Sequence, residues 1–266
     1  PVIHDDPILA DGEVRYVGQP LFAVVADSHD SARRAARRAR IDYAPLPALL
    51  DARIARAQQS SVLPPMHLVR GDPAAGLAAA PHRLEGEWAV GGQEHFYLEG
   101  QVACAVPRED GGLQLWCSTQ HPSEMQHTVA QALGLASNRV VVEVRRMGGG
   151  FGGKESQSAL FACVAALAAW KFRRPVKLRP DRDDDMRITG KRHDFHYDYE
   201  VGFDDDGRVL ALRIEMVARA GFSADLSGPV ATRAVCHVDN AYFLSDVDIR
   251  ALLARTHTQS NTAFRG

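Results

Sequence analysis

The run Met147-Gly148-Gly149-Gly150-Phe151-Gly152-Gly153-Lys154-Glu155 constrains this chain more than any other stretch. Alternating Val140, Val142 and Val144 predict a strand before it, and the apolar segment to about Trp170 predicts a helix after it. Strand, glycine loop and helix in that order let the backbone approach a ligand closely, beside a helix end that attracts negative charge. Gly148-x-Gly150-x-x-Gly153 formally fits a dinucleotide fingerprint, and Gly148-x4-Gly153-Lys154 nearly fits a phosphate loop. Neither fit completes. Glu155 stands where a phosphate loop needs Ser or Thr to hold magnesium. The acid that a dinucleotide site wants roughly twenty residues on is replaced by Lys171-Phe172-Arg173-Arg174. A glycine turn that only packs strand against helix is the ordinary alternative. Glu155 is expected to open the helix with its carboxylate buried, either as a cap or poised to bind something.

The remaining pattern mixes strands and helices, an α+β chain. Leu21 to Ala26 reads as a buried strand, followed by a helix capped at Asp27 or Ser28 and running to Arg40. Its Arg33, Arg34, Arg37 and Arg38 read as a solvated face, and Pro45 and Pro47 end it. Residues 51–83, with Pro64-Pro65 and an Ala/Gly/Pro run, read as a boundary or long surface connection. Leu113 to Cys117 alternates as a strand, and Pro122 starts a helix that Gly134 ends. Asp204-Asp205-Asp206-Gly207 between strand-like runs predicts a hairpin; Gly202 and Arg213 at the ligand positions exclude a calcium loop. His193 and His196 lack the carboxylate or cysteine framework of a zinc site and read as surface or structural.

Composition narrows the classes. Of 266 residues, 45% are hydrophobic and 24% charged, which is globular rather than disordered. A net charge of -2 provides no global positive field for nucleic acid. The longest apolar stretch, Ala159 to Trp170, is shorter than the roughly 20 residues of a membrane span. No secretory signal is visible, and four sparse cysteines (Cys104, Cys117, Cys163, Cys236) favour a reduced, cytoplasmic compartment. The start at Pro1 without Met and the stop at Gly266 after a turn-like run are expected of a fragment.

Four segments then occur in a telling order: Gly91 to Glu99 (GGQEHFYLE), Gly148 to Glu155, Arg233 to Asn240 (RAVCHVDN) and Ser260 to Gly266 (SNTAFRG). Together they resemble the molybdenum-binding subunit of the molybdenum hydroxylases, the aldehyde oxidase–xanthine dehydrogenase family. The resemblance runs through the whole chain, including Val14 to Tyr43. It implies the end of an α/β hammerhead-like domain over residues 1–50, a connection over 51–83 and the first part of a molybdopterin-binding domain over 84–266.

It also implies roles. Gln93 would hydrogen-bond an oxygen ligand of molybdenum, Phe151 and Gly152 would lie against the oxygen ligands through their backbone, and Arg265 would sit beside the anionic molybdopterin. The pterin's sulfurs hold the metal in this family, so no cysteine here is implied as a ligand. Glu155 and Arg233 match the charged substrate positions of the purine-oxidising branch, which turns hypoxanthine and xanthine towards urate with water-derived oxygen. Negative charge develops on the heterocycle as it is attacked; an arginine there stabilises the transition state more than the ground state, and a glutamate orients the ring nitrogens. A buried salt bridge between these two residues is the ordinary reading without the motif.

The general-base glutamate of the family is not in this chain, and most pterin contacts are expected beyond Gly266. The fragment alone is therefore expected to be inactive and without cofactor. The 2Fe-2S and FAD groups, and an iron–sulfur/flavin subunit as partner in a hetero-oligomer, belong to the parent enzyme. A nucleotide-binding module using the Gly148–Lys154 loop and an aldehyde-oxidising member of the family remain as alternatives.

Overall fold

A computed structural model describes residue 3 and residues 5–265. Pro1, where the hammerhead-like part is expected to be entered, and Gly266, which closes the last matched segment, lie outside the described residues. In chain order the elements begin with α1 (His29–Ala36), α2 (Ala52–Ala57), β1 (Met66–Arg70), α3 (Pro73–Ala79) and β2 (His82–Val90). They continue with β3 (Ala103–Pro107), β4 (Leu113–Cys117), α4 (Pro122–Leu133) and β5 (Val140–Glu143). Next come α5 (Ser158–Phe172), β6 (Val176–Leu178) and α6 (Arg182–Ile188). The last are β7 (Phe195–Phe203), β8 (Val209–Gly221), α7 (Ser227–Cys236) and β9 (Asp246–Arg255). They fall into two interleaved units. The first takes residues 1–5, 48–93 and 191–263, and the second takes 6–47, 94–190 and 264–266.

In the first unit a five-stranded sheet runs in the order β1-β9-β8-β7-β2. Only β8 and β9 pair in parallel. The hairpin between β7 and β8 closes at Asp204 to Gly207, where the Asp204 carboxylate accepts from Asp206 N (3.0 Å) and Arg208 N (2.8 Å). Period-two burial puts Met216, Val247, Ile249 and Ala251 on one face with Val235 of α7. Val217 and Ala254 face the other side, against Ala52 and Ala55 of α2. His193 Nε2 meets Ser227 Oγ at 2.7 Å and so ties the approach to β7 to the first turn of α7.

Burial pushes the His193 imidazole down to about 4. Folded His193 is therefore neutral where the unfolded chain, near 6.5, takes up a proton. The contribution of His193 to stability is fully present above pH 6.5 and falls by about 3 kcal/mol as pH drops from 6.5 to 4. His193→Gln should lose less stability than the parent sequence across that window, as read from urea midpoints at pH 7, 5.5 and 4. Parallel losses in both proteins would count against this account.

The second unit holds a four-stranded sheet in the order β5-β4-β3-β6, with β4 and β5 parallel and the other pairs antiparallel. Helices α4 and α5 bury Met125, Val129, Phe161, Ala162, Ala165 and Ala169 against Ala103, Ala105, Leu113 and Leu115. Gly134 ends α4 in the left-handed conformation (φ 66°), as its position after Leu133 predicts.

Several expectations need correcting. Leu21 to Ala26 is not a strand: no described residue pairs with it, and Phe22 and Val25 are exposed. Helix α1 ends at Ala36 rather than Arg40, because it buries no side chain and crowds like charges at Arg33, Arg34, Arg37 and Arg38. Residues 51–83 carry two short helices and the edge strand β1, held by Leu77, Ala52 and Ala55. The sparse apolar pattern concealed them. Helix α5 starts at Ser158, so Glu155 lies in the turn before it rather than at its first residue.

Among the described residues, no helix is long and apolar enough to cross a membrane, and no group of three or more His, Cys, Asp or Glu is placed to hold a metal ion.

Candidate functional site

In the second unit the glycine loop is held at both ends by side chains from neighbouring segments. The Glu99 carboxylate accepts from Gly148 N at 2.9 Å, and Glu99 N donates back to Gly148 O at 3.0 Å. Gln120, just past β4, accepts through Oε1 from Gly152 N (2.9 Å) and Lys154 N (3.2 Å). Between these anchors Phe151 holds a left-handed conformation (φ 54°), uncommon for a bulky side chain. Gly152 follows at φ 100°, a conformation that favours glycine. Gly153 meets a different demand: a Cβ there would fall 2.7 Å from the His95 ring.

Beneath the loop lies a polar core that the sequence reading missed. Lys154 is completely buried, and its ammonium donates to Glu99 O (2.5 Å) and Ser118 Oγ (2.8 Å) while lying 4.5 Å from the Tyr97 ring centre. The Tyr97 hydroxyl donates to Asp185 of α6 at 2.7 Å, and Gln101 N donates to the other carboxylate oxygen at 2.8 Å. Gln101 Nε2 reaches Gly153 O at 3.1 Å, which returns the network to the loop. Burial pushes Lys154 below the usual lysine range, against the pull of Glu99. Burial pushes Glu99 up, but the Gly148 N–H, the Ser118 hydroxyl and Lys154 together bring its carboxyl below the usual range. A lysine wedged between a glycine and an apolar helix was the available signal.

Lys154 also decides one alternative. The ammonium that a phosphate loop would offer to a nucleotide is turned inward and occupied.

The expected site residues divide between the units. Glu155 (half-buried), Phe151 (41% exposed), Gly152 and Arg265 belong to the second. Arg265 N donates to Phe151 O at 2.8 Å, so the main chain of an exposed arginine is tied to the strained loop residue. The arginine's charge suits an anionic cofactor. The Gly152 N–H is already donated to Gln120, which narrows the backbone contact implied for Phe151 and Gly152. Gln93 and Arg233 belong to the first unit. The Gln93 carbonyl accepts from Arg192 N at 3.0 Å, and the residue itself is exposed. Arg233, exposed on α7, lines a cavity of about 590 Å³ with Leu63, Met66, Pro229, Thr232 and His237.

Residues 55–266 match the family model of the molybdopterin cofactor-binding domain. The chain belongs to that family. Residues 1–47 match the aldehyde oxidase and xanthine dehydrogenase a/b hammerhead domain, so this molybdopterin cofactor-binding domain follows the end of a hammerhead domain, as the resemblance implies.

The chain is 45% identical over its whole length to a xanthine dehydrogenase of Drosophila subobscura and 44% identical to a xanthine dehydrogenase/oxidase of Gallus gallus. It spans 20% of the length of each. Among solved structures, the aldehyde oxidoreductase of Desulfovibrio gigas matches with a TM-score of 0.89 at 27% identity, covering 98% of this chain and 30% of that one. Quinoline 2-oxidoreductase of Pseudomonas putida 86 matches with a TM-score of 0.85 at 25% identity, over 98% of this chain and 35% of that one. The charge of Arg265 suits the anionic cofactor of this family, whereas the Gly152 N–H is already taken by Gln120.

Proposed function

We propose that this chain is part of an enzyme that oxidises hypoxanthine and xanthine towards urate. Identity of 41–45% with xanthine dehydrogenases across essentially the whole chain carries the reading. When bound, the molybdenum cofactor supplies the oxygen and takes up two electrons. Gln93, the Phe151–Gly152 backbone and Arg265 would hold it. Glu155 hydrogen-bonds the purine ring nitrogens and fixes their orientation, and Arg233 stabilises the negative charge that develops on the ring. Residues 1–50 end the hammerhead-like domain, 51–83 lead on from it through α2, β1 and α3, and 84–266 begin the cofactor-binding domain. The electrons pass to iron–sulfur clusters and flavin carried by a partner subunit of a cytoplasmic hetero-oligomer that binds neither nucleic acid nor membrane.

Likeness to the Desulfovibrio gigas enzyme supports a second reading, aldehyde oxidation. The two separate on substrates. The full-length parent enzyme should form urate from xanthine with kcat/KM well above that for benzaldehyde. Glu155→Ala should raise the xanthine KM about tenfold or more, the cost of one charge-assisted hydrogen bond, and leave benzaldehyde within a factor of two or so. Preference for benzaldehyde in the unmutated enzyme would replace this reading with the second.

A further inference from the structure

We infer that Lys154 is a positioning residue: its buried ammonium locks Glu99, and through Glu99 the entrance of the glycine loop, in the conformation that presents Phe151 and Gly152. The inference rests on the proposed role of this loop as a wall of the cofactor site.

A lysine with no exposed surface is an expensive choice for packing alone. Burying an ammonium costs several kcal/mol unless its protons are matched, and a methionine would fill similar space without that cost. Here the matches all go to segments that touch the loop. Glu99 O takes one hydrogen bond, Ser118 Oγ takes another, and Glu99 Oε2 lies at 3.5 Å. Glu99 is also the residue that grips Gly148 from both its backbone and its side chain. The main chain of Lys154 serves the exit of the same loop. Its N–H goes to Gln120, and its carbonyl accepts from Gln120 N (2.8 Å), Thr119 Oγ1 (3.0 Å) and Ser158 Oγ (3.0 Å).

One residue therefore joins the entrance and exit of a six-residue turn that contains a left-handed Phe151. Left-handed conformations of bulky residues are strained and persist only where surroundings over-determine them. Cutting the lysine link relaxes that constraint at the entrance and leaves the buried core of α5 in place.

The test uses the full-length parent enzyme carrying Lys154→Met, with Glu99→Ala as a second variant. Glu99 is 37% exposed at its side chain, so truncating it opens no closed cavity. Hydrogen exchange at the amides of Gly148 to Gly153 should accelerate at least about tenfold in both variants, with exchange in α5 unchanged. Molybdenum content per chain should fall. In the molecules that remain loaded, kcat should drop about 10²-fold with little change in KM, as expected when reacting groups are displaced by about an ångström.

Unchanged loop exchange in a folded variant overturns the inference. So does a loosened loop with full molybdenum content and unchanged kcat. If Lys154→Met does not fold, Glu99→Ala decides alone on the same measurements. A wild-type parent enzyme that carries no molybdenum defeats the proposed function, whereas loop exchange still reads the clamp by itself.

Discussion

Arg233→Met in the full-length parent enzyme should lower xanthine turnover about 10²–10³-fold, equivalent to about 3–4 kcal/mol of lost transition-state stabilisation. Under the proposed function, the expectation follows from where charge would build. Attack on the purine carbon pushes electron density onto the ring and its carbonyl, and a guanidinium meeting that oxygen is worth more at the transition state than before it. Arg233 stands exposed on α7 and lines a cavity. Methionine keeps a high helix propensity and an unbranched side chain, so α7 should persist. Stability should move by no more than about 0.5 kcal/mol, as for an exposed site. Turnover of an aromatic aldehyde, which has no purine carbonyl, should change only a few-fold. If xanthine turnover survives, or if both substrates fall together, Arg233 is structural and the purine assignment loses its mechanism.

Asp185→Ala should destabilise the fold by about 3–5 kcal/mol, measured as a lower urea midpoint at unchanged slope. Asp185 is only 1% exposed, and its two oxygens take the Tyr97 hydroxyl and Gln101 N. Truncation leaves both donors buried without an acceptor, at about 1–3 kcal/mol each. It also strips a negative neighbour from the Lys154 ammonium, which Asp185 helps to keep charged. Asp185→Asn should recover part of the loss, since an amide oxygen can still accept one of the two hydrogen bonds. An alanine variant within about 1 kcal/mol of wild type would mean that water or a neighbouring group takes over the role.

Elements with their own local punctuation were legible in the sequence. The alternation of Leu113 to Cys117, the Pro122 and Gly134 bounds of α4 and the Asp-Gly turn of the β7–β8 hairpin all correspond to the folded chain. Leu21 to Ala26 had strand-like composition but no strand to pair with, and pairing is not a local property. Sheet order was equally hidden. Met66 pairs with Ala251 and Trp88 with Tyr197, and nothing near either residue specifies its partner. The same limit applied to the site. Gln93, Phe151, Gly152, Glu155, Arg233 and Arg265 could be named because motif resemblance reaches across the chain. The polar core beneath the glycine loop could not, since Glu99, Lys154 and Asp185 meet only after folding.

The interleaving of the two units has a consequence for synthesis. Residues 94–190 supply every strand of the four-stranded sheet and can pair as they leave the ribosome. The five-stranded sheet cannot. Its edge strand β2 ends at Val90, but the partner β7 begins at Phe195, and β1 must wait for β9 at Asp246. At roughly 5–20 residues translated per second, β2 waits at least about five seconds for its partner strand. An unpaired edge of the five-stranded sheet therefore persists during translation, and slower elongation between residues 90 and 195 lengthens that interval.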